Sequence, residues 1–156
     1  MTRYFVSGHM NLQDHEFQQH YVGLLTAAAA AVNSIGGLST FVLGNAVGAD
    51  TMALHYLVNE LAVSPDRIHL YVYNYYPNKQ RKEILRLQQL GIKNIRTGFP
   101  NVHARDAAMT ENSDVDLLWV RSEEGNKQLL GSKFKPNHIS GTEKNRLRRL
   151  LTVNTD

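Results

Sequence analysis

The stretch Val42-Leu43-Gly44-Asn45-Ala46-Val47-Gly48-Ala49-Asp50 decides the fold of this chain. The apolar run at 40–43 breaks into a loop with two glycines, and an apolar pattern with helical spacing follows Asp50. A strand, a glycine loop and a helix in this order bring backbone N–H groups up to a phosphate or a sugar. The spacing matches neither Gly-x-Gly-x-x-Gly nor the P-loop. A plain strand-to-helix turn, with Asp50 as the helix cap, explains the same residues equally well.

Strand-like and helix-like segments alternate on both sides of this loop. Apolar runs predict strands at 4–6, 40–43, 68–73 and 115–120, with a short strand or a return segment at 93–96. Three- and four-residue periodicity predicts helices from 14 to the glycines at 36–37, around 52–61, from 77 to 91, at 101–112 and at 141–151. The alternation predicts an α/β three-layer sandwich, with a mainly parallel central sheet and helices on both faces.

Apolar side chains at helical spacing are expected to face the core. They include Leu90 at the end of the third predicted helix, Val102 in the fourth, and Leu147, Leu150 and Leu151 in the last. Residues 121–138 show no such pattern, and we expect a long surface excursion there, of a kind that is often functional.

Composition describes one soluble domain that spans residues 1–156. The chain has 42% apolar residues, no cysteine and a net charge of +3, which suits a small phosphorylated ligand and does not require nucleic acid. The first residues turn polar too quickly for a signal peptide, and 22–32 is shorter than the ~20 residues of a membrane span, so a cytoplasmic location is expected. No histidine pair has the spacing of a zinc helix, so neither a metal nor a cofactor is expected.

Three loops follow predicted strands and are expected to meet at one edge of the sheet. They are Ser7-Gly8, Gly44-Asn45 and the segment after Val120. Ligands of parallel sheets bind at the carboxyl ends of the strands, so these loops, distant in sequence, are predicted to share one crevice.

Five short motifs follow one another from about residue 4 to residue 150. They are Val6-Ser7-Gly8, Gly44 to Asp50, His103-x-Arg105-x-x-x-Met109, Ser113-Asp114 and Ser140-Gly141-Thr142. In order and spacing they resemble the SLOG superfamily of Rossmann-like proteins, which includes Lonely-Guy type phosphoribohydrolases and DprA type DNA-processing proteins.

The resemblance implies a nucleotide or nucleotide-derived ligand. It places Ser7-Gly8 and the Gly44 to Asp50 loop beside the base and ribose, and Ser140-Gly141-Thr142 around a phosphate. A helix start that offers free N–H groups and hydroxyls suits a phosphate, although an ordinary N-cap has the same sequence. The candidate ligand-binding residues are Ser7, Gly8, His9, Gly44, Asn45, Gly48, Asp50, Arg105, Asp106, Ser140, Gly141 and Thr142.

The chain departs from the phosphoribohydrolase pattern at its acidic residues. The family glutamate three positions after the threonine is Asn145 here, and the glutamate before the helical arginine is Ala104. Cleavage of an N-glycosidic bond needs a carboxylate, for which Glu143 and Asp50 are the candidates. We therefore expect a nucleotide-binding protein that senses or sequesters its ligand, with a nucleoside 5'-phosphate N-glycosidase as the alternative. Nucleic-acid binding ranks third, and a homo-oligomer is expected by analogy.

Overall fold

A computed structural model describes residues 1–32 and 36–153 of the protein. Within these residues the strands are β1 (Arg3–Val6), β2 (Thr40–Gly44), β3 (Ile68–Tyr71), β4 (Asn94–Arg96) and β5 (Val115–Leu117). The helices are α1 (Asp14–His20), α2 (Val22–Ala30), α3 (Ala49–His55), α4 (Pro77–Gln89), α5 (Val102–Glu111), α6 (Glu123–Leu130) and α7 (Gly141–Val153). Tyr56–Glu60 continues α3 as a π-helical turn, and Pro65–Arg67 and Gly131–Lys133 are short 3₁₀ turns.

The strands form one parallel sheet in the order β4-β3-β2-β1-β5. The register places Val6 opposite both Leu43 and Leu117, in the interior of the sheet next to the edge strand β5. Residues 93–96, for which a strand or a return segment was expected, supply the edge strand β4. The predicted α/β class and Rossmann-like three-layer architecture are therefore confirmed.

The sheet separates two apolar cores. The larger core packs α1 to α4 against one face, through residues such as Phe17, Leu54 and Leu87. The smaller core packs Met109 of α5 against Phe5, Val42 and Tyr71 on the other face. Alternating side chains of β2 enter different cores, as a buried strand requires: Phe41 and Leu43 enter the larger one and Val42 the smaller one.

The first predicted helix is in fact two helices, which meet at Tyr21. Its hydroxyl donates to the carbonyl oxygen of Ser7 at 2.6 Å and accepts from the backbone N–H of Trp119 at 3.2 Å. These contacts pin the buried side chain at the end of the sheet, where the helix changes direction. The second helix ends at Ala30, before the predicted Gly36-Gly37 stop, and residues 33–35 lie outside the described part of the chain.

The prediction of a surface excursion without regular structure at 121–138 is wrong in part, because this segment contains helix α6. The side chain of Ser122 caps this helix by accepting from the backbone N–H of Gly125 at 3.0 Å. The strand before it is shorter than predicted and ends at Leu117, so Trp119 lies in the loop, where its ring stacks on that of His20 at 4.0 Å.

Several apolar side chains that were expected to face the core are exposed. Their exposed fractions are 37% for Leu90, 43% for Val102, 39% for Leu147, 48% for Leu150 and 68% for Leu151. On α7 the buried positions are polar: Thr142 and Asn145 face the end of the sheet. Arg149 of the same helix donates to the carbonyl oxygens of Thr110 and Ser113. Polar contacts therefore dock this helix, which is why hydrophobic periodicity gave the wrong face.

Candidate functional site

The strand order creates a topological switch point between β1 and β5. From β1 the chain runs outward through β2, β3 and β4, and it returns through α5 to β5 on the other side of β1. Loops that leave β1 and β5 diverge at this point, and a crevice opens at the carboxyl ends of the two strands.

Ser7, directly after β1, is the centre of a buried polar cluster. Its hydroxyl lies 3.0 Å from the hydroxyl of Thr142 and accepts a hydrogen bond of 2.9 Å from the side-chain amide of Asn145. The structure thus joins the first and last motifs of the sequence, 135 positions apart. The cluster also occupies the hydroxyl of Thr142, which therefore faces Ser7 instead of solvent.

The glycines near the sheet edge allow close contact between loops. A Cβ on Gly8 would lie 2.3 Å from Cβ of Ala49 and 2.4 Å from the Tyr21 hydroxyl. Gly48 has a φ of +81°, and a Cβ there would lie 2.3 Å from the backbone oxygen of Met10. Both glycines hold the β1 loop against the start of α3, and this packing leaves no space for a ligand at either Cα.

Arg105 of α5 reaches across the edge of the sheet. Its guanidinium donates from Nε and one terminal nitrogen to Oδ1 of Asp106, at 3.1 and 2.9 Å, and from the other to Oδ1 of Asn45 at 2.9 Å. Gly44 makes room for this side chain, since a Cβ there would lie 3.2 Å from Cζ of Arg105 and 2.7 Å from Oδ2 of Asp50. Arg105 and Asp106 therefore form a buried ion pair, to which the half-buried Asn45 is hydrogen-bonded.

Asp50 does not cap α3 as the turn interpretation required. The N-cap is Gly48, and Oδ2 of Asp50 instead accepts from the backbone N–H of Ala46, upstream in the loop, at 3.1 Å. Burial raises the pKa of Asp50 to about 7, against the opposing effect of Arg105. A carboxyl group in this range exchanges its proton near neutral pH.

His9 lies buried beneath the crevice mouth. Its Nε2 accepts from the backbone N–H of Arg121 at 2.9 Å, and its ring packs edge-on against Trp119. Burial, with a further effect of the Arg121 charge, lowers the pKa of His9 to about 4. The ring is therefore neutral at pH 7, with its proton on Nδ1.

Sequence reasoning missed the buried pair of Arg121 and Glu16. The guanidinium donates to the two carboxylate oxygens at 2.8 and 2.6 Å and reaches Oδ1 of Asn11 and of Asn126 at 3.0 and 3.1 Å. The pair ties the loop after β5 to α1, and its partners lie 105 positions apart. No local sequence pattern predicts a contact between residues so far apart in the chain.

A cleft of about 430 Å³ opens beside this pair, at the switch point. Its walls come from the loop after β1, the loop after β5, α6, the 3₁₀ turn Gly131–Lys133 and the start of α7. The basic and aromatic side chains among its lining residues are His9, Arg121, Lys133, Phe134, Lys135 and His138. Four of these six lie in 133–138, so the predicted excursion forms a wall of the cleft.

The start of α7 lies at this cleft, through Ser140 and Glu143. The side chain of Ser140 accepts from the backbone N–H of Glu143 at 3.1 Å, which makes it the helix cap. Glu143 forms a two-point ion pair with Arg146, which lowers the pKa of the glutamate. Gly141 is exposed, and no atom lies within 4 Å of a Cβ placed on it, so its backbone is open to solvent.

The predicted single crevice is divided in two. Gly44, Asn45 and Asp50 line a separate cavity of about 310 Å³ between α3 and α4, which shares no lining residue with the first cleft. His103, part of one sequence motif, lies exposed on α5. Of the candidate residues, His9 and Ser140 line the first cleft, together with Glu143.

No protein-family model, no curated protein and no solved structure matches the chain. The resemblance to the SLOG superfamily therefore stays a prediction from the motifs. Across 1–32 and 36–153, no three His, Asp or Glu side chains are grouped as metal ligands would be. In the same residues, no helix has the length and the apolar character to cross a membrane.

Proposed function

We propose that the protein binds a nucleotide or nucleotide-derived small molecule in the cleft at the β1–β5 switch point. The observation that supports this most is the convergence of the α7 N-terminus with Lys133 and Lys135 on one cleft. Among the described residues, the backbone N–H groups of Gly141 and Thr142 have no acceptor. Free N–H groups, the helix dipole and two ammonium groups together favour a phosphate.

The rest of the cleft suits a base and a sugar. Phe134 offers an aromatic face, and Asn126, Asn137 and Glu123 offer groups that hydrogen-bond to hydroxyls. A volume of about 430 Å³ falls in the range of small-molecule sites, which is roughly 300–1,000 Å³. Binding without turnover fits the replacement of the family glutamate by Asn145, whose amide is hydrogen-bonded to Ser7.

A thermal-shift screen with AMP, cyclic AMP and ADP-ribose tests the proposal. A ligand at 100 times its dissociation constant stabilises the fold by about 2.7 kcal/mol. The double variant Lys133→Gln/Lys135→Gln should lose most of this shift, while Lys93→Gln, exposed before β4, should keep it. The proposal fails if none of the nucleotides stabilises the protein, or if the double variant responds as the wild type does.

N-glycosidase activity is a second candidate, supported by the position of Glu143. This carboxylate lines the same cleft, and its lowered pKa keeps it ionised at neutral pH. An ionised carboxylate is what an oxocarbenium-like transition state requires. Asp50, the other candidate, lines the separate cavity. Release of free base from nucleoside 5'-phosphates, abolished in Glu143→Gln, is expected if the protein is an enzyme, and no release from any of them rejects this candidate.

A further inference from the structure

The cavity between α3 and α4 has an apolar wall and a polar end at Asp50. Its wall is formed mainly by leucines from α3, β3, α4 and the residue after α4, namely Leu54, Leu70, Leu87 and Leu90. Asp50, at the first turn of α3, lies at the carboxyl edge of the sheet and also lines the cavity. The volume of about 310 Å³ is enough for one compact organic molecule.

Asp50 brings an unpaired acceptor to this cavity. The residue is 8% exposed, and only its Oδ2 is hydrogen-bonded, to the backbone N–H of Ala46 at 3.1 Å. Among the described residues Oδ1 has no hydrogen-bond partner. The nearby Arg105 does not supply one, because its guanidinium donates to Asp106 and Asn45. An oxygen of a largely buried carboxylate that has no protein donor is available to a donor that a ligand brings.

The polar groups beside Asp50 do not offer donors to a ligand, whereas the exposed side chains of His55 and Arg86 also line the cavity. Both amide hydrogens of Asn45 are used, by the carbonyl oxygen of Tyr73 and the carboxylate of Glu83. The hydroxyl of Thr51 donates to the carbonyl oxygen of Ala46 at 2.9 Å. The end of the cavity at Asp50 therefore presents acceptors, and a ligand bound there must bring its own N–H or O–H groups.

We propose that this cavity is a second ligand site, which takes a compact ring bearing N–H donors on one edge, as in an amidine or an aminoheterocycle. The ring packs against the leucines, and the donor edge binds the free oxygen of Asp50. The site does not depend on nucleotide binding in the first cleft, with which it shares no lining residue.

Titration of the ¹⁵N-labelled protein with benzamidine and with benzoate tests this site. The two molecules have similar size and shape, but benzamidine is a cation with N–H donors and benzoate an anion without donors. At pH 8 the Asp50 carboxyl is ionised, since its pKa is about 7. Benzamidine should give saturable shifts of the backbone amides at 44–54 and 83–90, and benzoate should give none at 44–54, beside Asp50.

Two variants assign the binding to Asp50 and the cavity. Asp50→Asn keeps an oxygen for the N–H of Ala46 but turns an amide donor toward the cavity, so benzamidine should bind at least tenfold more weakly. Asp66→Asn, at an exposed carboxylate before β3, should bind as the wild type does. Leu90→Trp, a partly exposed position at the cavity, should narrow it and weaken binding even if Asp50→Asn does not fold.

The outcomes separate clearly. Selective binding of benzamidine that is weakened by Asp50→Asn, or by Leu90→Trp where the first variant is unfolded, supports the proposal. Absence of saturable shifts at these amides overturns it. Equal binding of benzoate also overturns it, because the cavity would then be only an apolar pocket. Undiminished binding in a folded Asp50→Asn variant overturns the proposal, and so does undiminished binding in Leu90→Trp where Asp50→Asn is unfolded.

Discussion

Replacement of Arg121 by glutamine measures what the buried ion pair contributes to stability. Both Arg121 and Glu16 are buried, and two hydrogen bonds of 2.8 and 2.6 Å join them. Arg121→Gln leaves the Glu16 carboxylate buried without its partner. Removal of one partner from such a pair costs about 3–5 kcal/mol in other proteins.

The pKa of Glu16 gives a second value for the free energy that the pair contributes to folding. Hydrogen bonds from Arg121 are the main reason that this pKa falls from the ordinary value of 4.5 to about 2. At ~1.4 kcal/mol for each pKa unit, the difference corresponds to about 3 kcal/mol. Because the folded pKa lies below the unfolded one, this stabilisation is present above the unfolded pKa and is lost as the pH falls through the folded pKa. The cost of Arg121→Gln should therefore be about 3 kcal/mol at pH 7 and less than half of that at pH 3.

Urea unfolding followed by circular dichroism at pH 7 and pH 3 measures both values. Arg3→Gln is the matched control, because its ion pair with Asp114 joins side chains that are 46% and 40% exposed. Exposed pairs contribute little, so this variant should lose less than ~1 kcal/mol. A cost below ~1 kcal/mol for Arg121→Gln at pH 7 would refute the reasoning. A cost that is equally large at pH 3 would show that Glu16 is not its origin.

Three further predictions follow from single contacts. Gly48 and Gly98 both have a positive φ, of +81° and +88°, but only at Gly48 would a Cβ lie 2.3 Å from a backbone oxygen. Gly48→Ala should therefore destabilise the fold by more than Gly98→Ala. Equal urea midpoints for the two variants would contradict this. Tyr21→Phe removes two hydrogen bonds of the buried hydroxyl and should cost about 1–3 kcal/mol in calorimetry, whereas Tyr75→Phe, at a side chain 77% exposed, should be neutral. The ring of His9 should titrate at about pH 4 when followed by NMR. Because burial lowers this pKa, the free energy of unfolding should fall as the pH drops from 6.5 to about 4. An ordinary titration near pH 6.5 would contradict the burial of the ring.

The fold was predictable because its signals are local. Buried parallel strands are short apolar runs, and Pro77 and the Gly91 turn mark the two ends of α4. The strand ends could then be placed at one edge of the sheet, and the contact of Ser7 with Thr142 agrees with that placement.

The features that sequence missed depend on contacts between distant residues. The break at Tyr21 follows from hydrogen bonds to Ser7 and Trp119, 14 and 98 positions away, and nothing in the local sequence marks it. The exposed leucines of α7 have helical spacing, but polar contacts of the opposite face dock the helix. The start of α6, by contrast, has a local sequence signal, namely the capping residue Ser122 followed by two acidic residues.

The structure changes what the glycine loop can be expected to do. The space beside Gly8 is occupied by Ala49 and Tyr21, and the space beside Gly48 by Met10. The absence of a side chain at these two glycines therefore allows the two loops to pack together. A ligand cannot use the same space, and the Gly44 side of the edge opens instead into the cavity at Asp50. On the proposed function, residues 133–140 contribute much of the specificity of the first cleft, because the lysines, Phe134 and the cap of α7 lie together there. Substitutions in that segment should change ligand affinity while the sheet and its packed loops keep their stability, because its lining side chains lie outside both apolar cores.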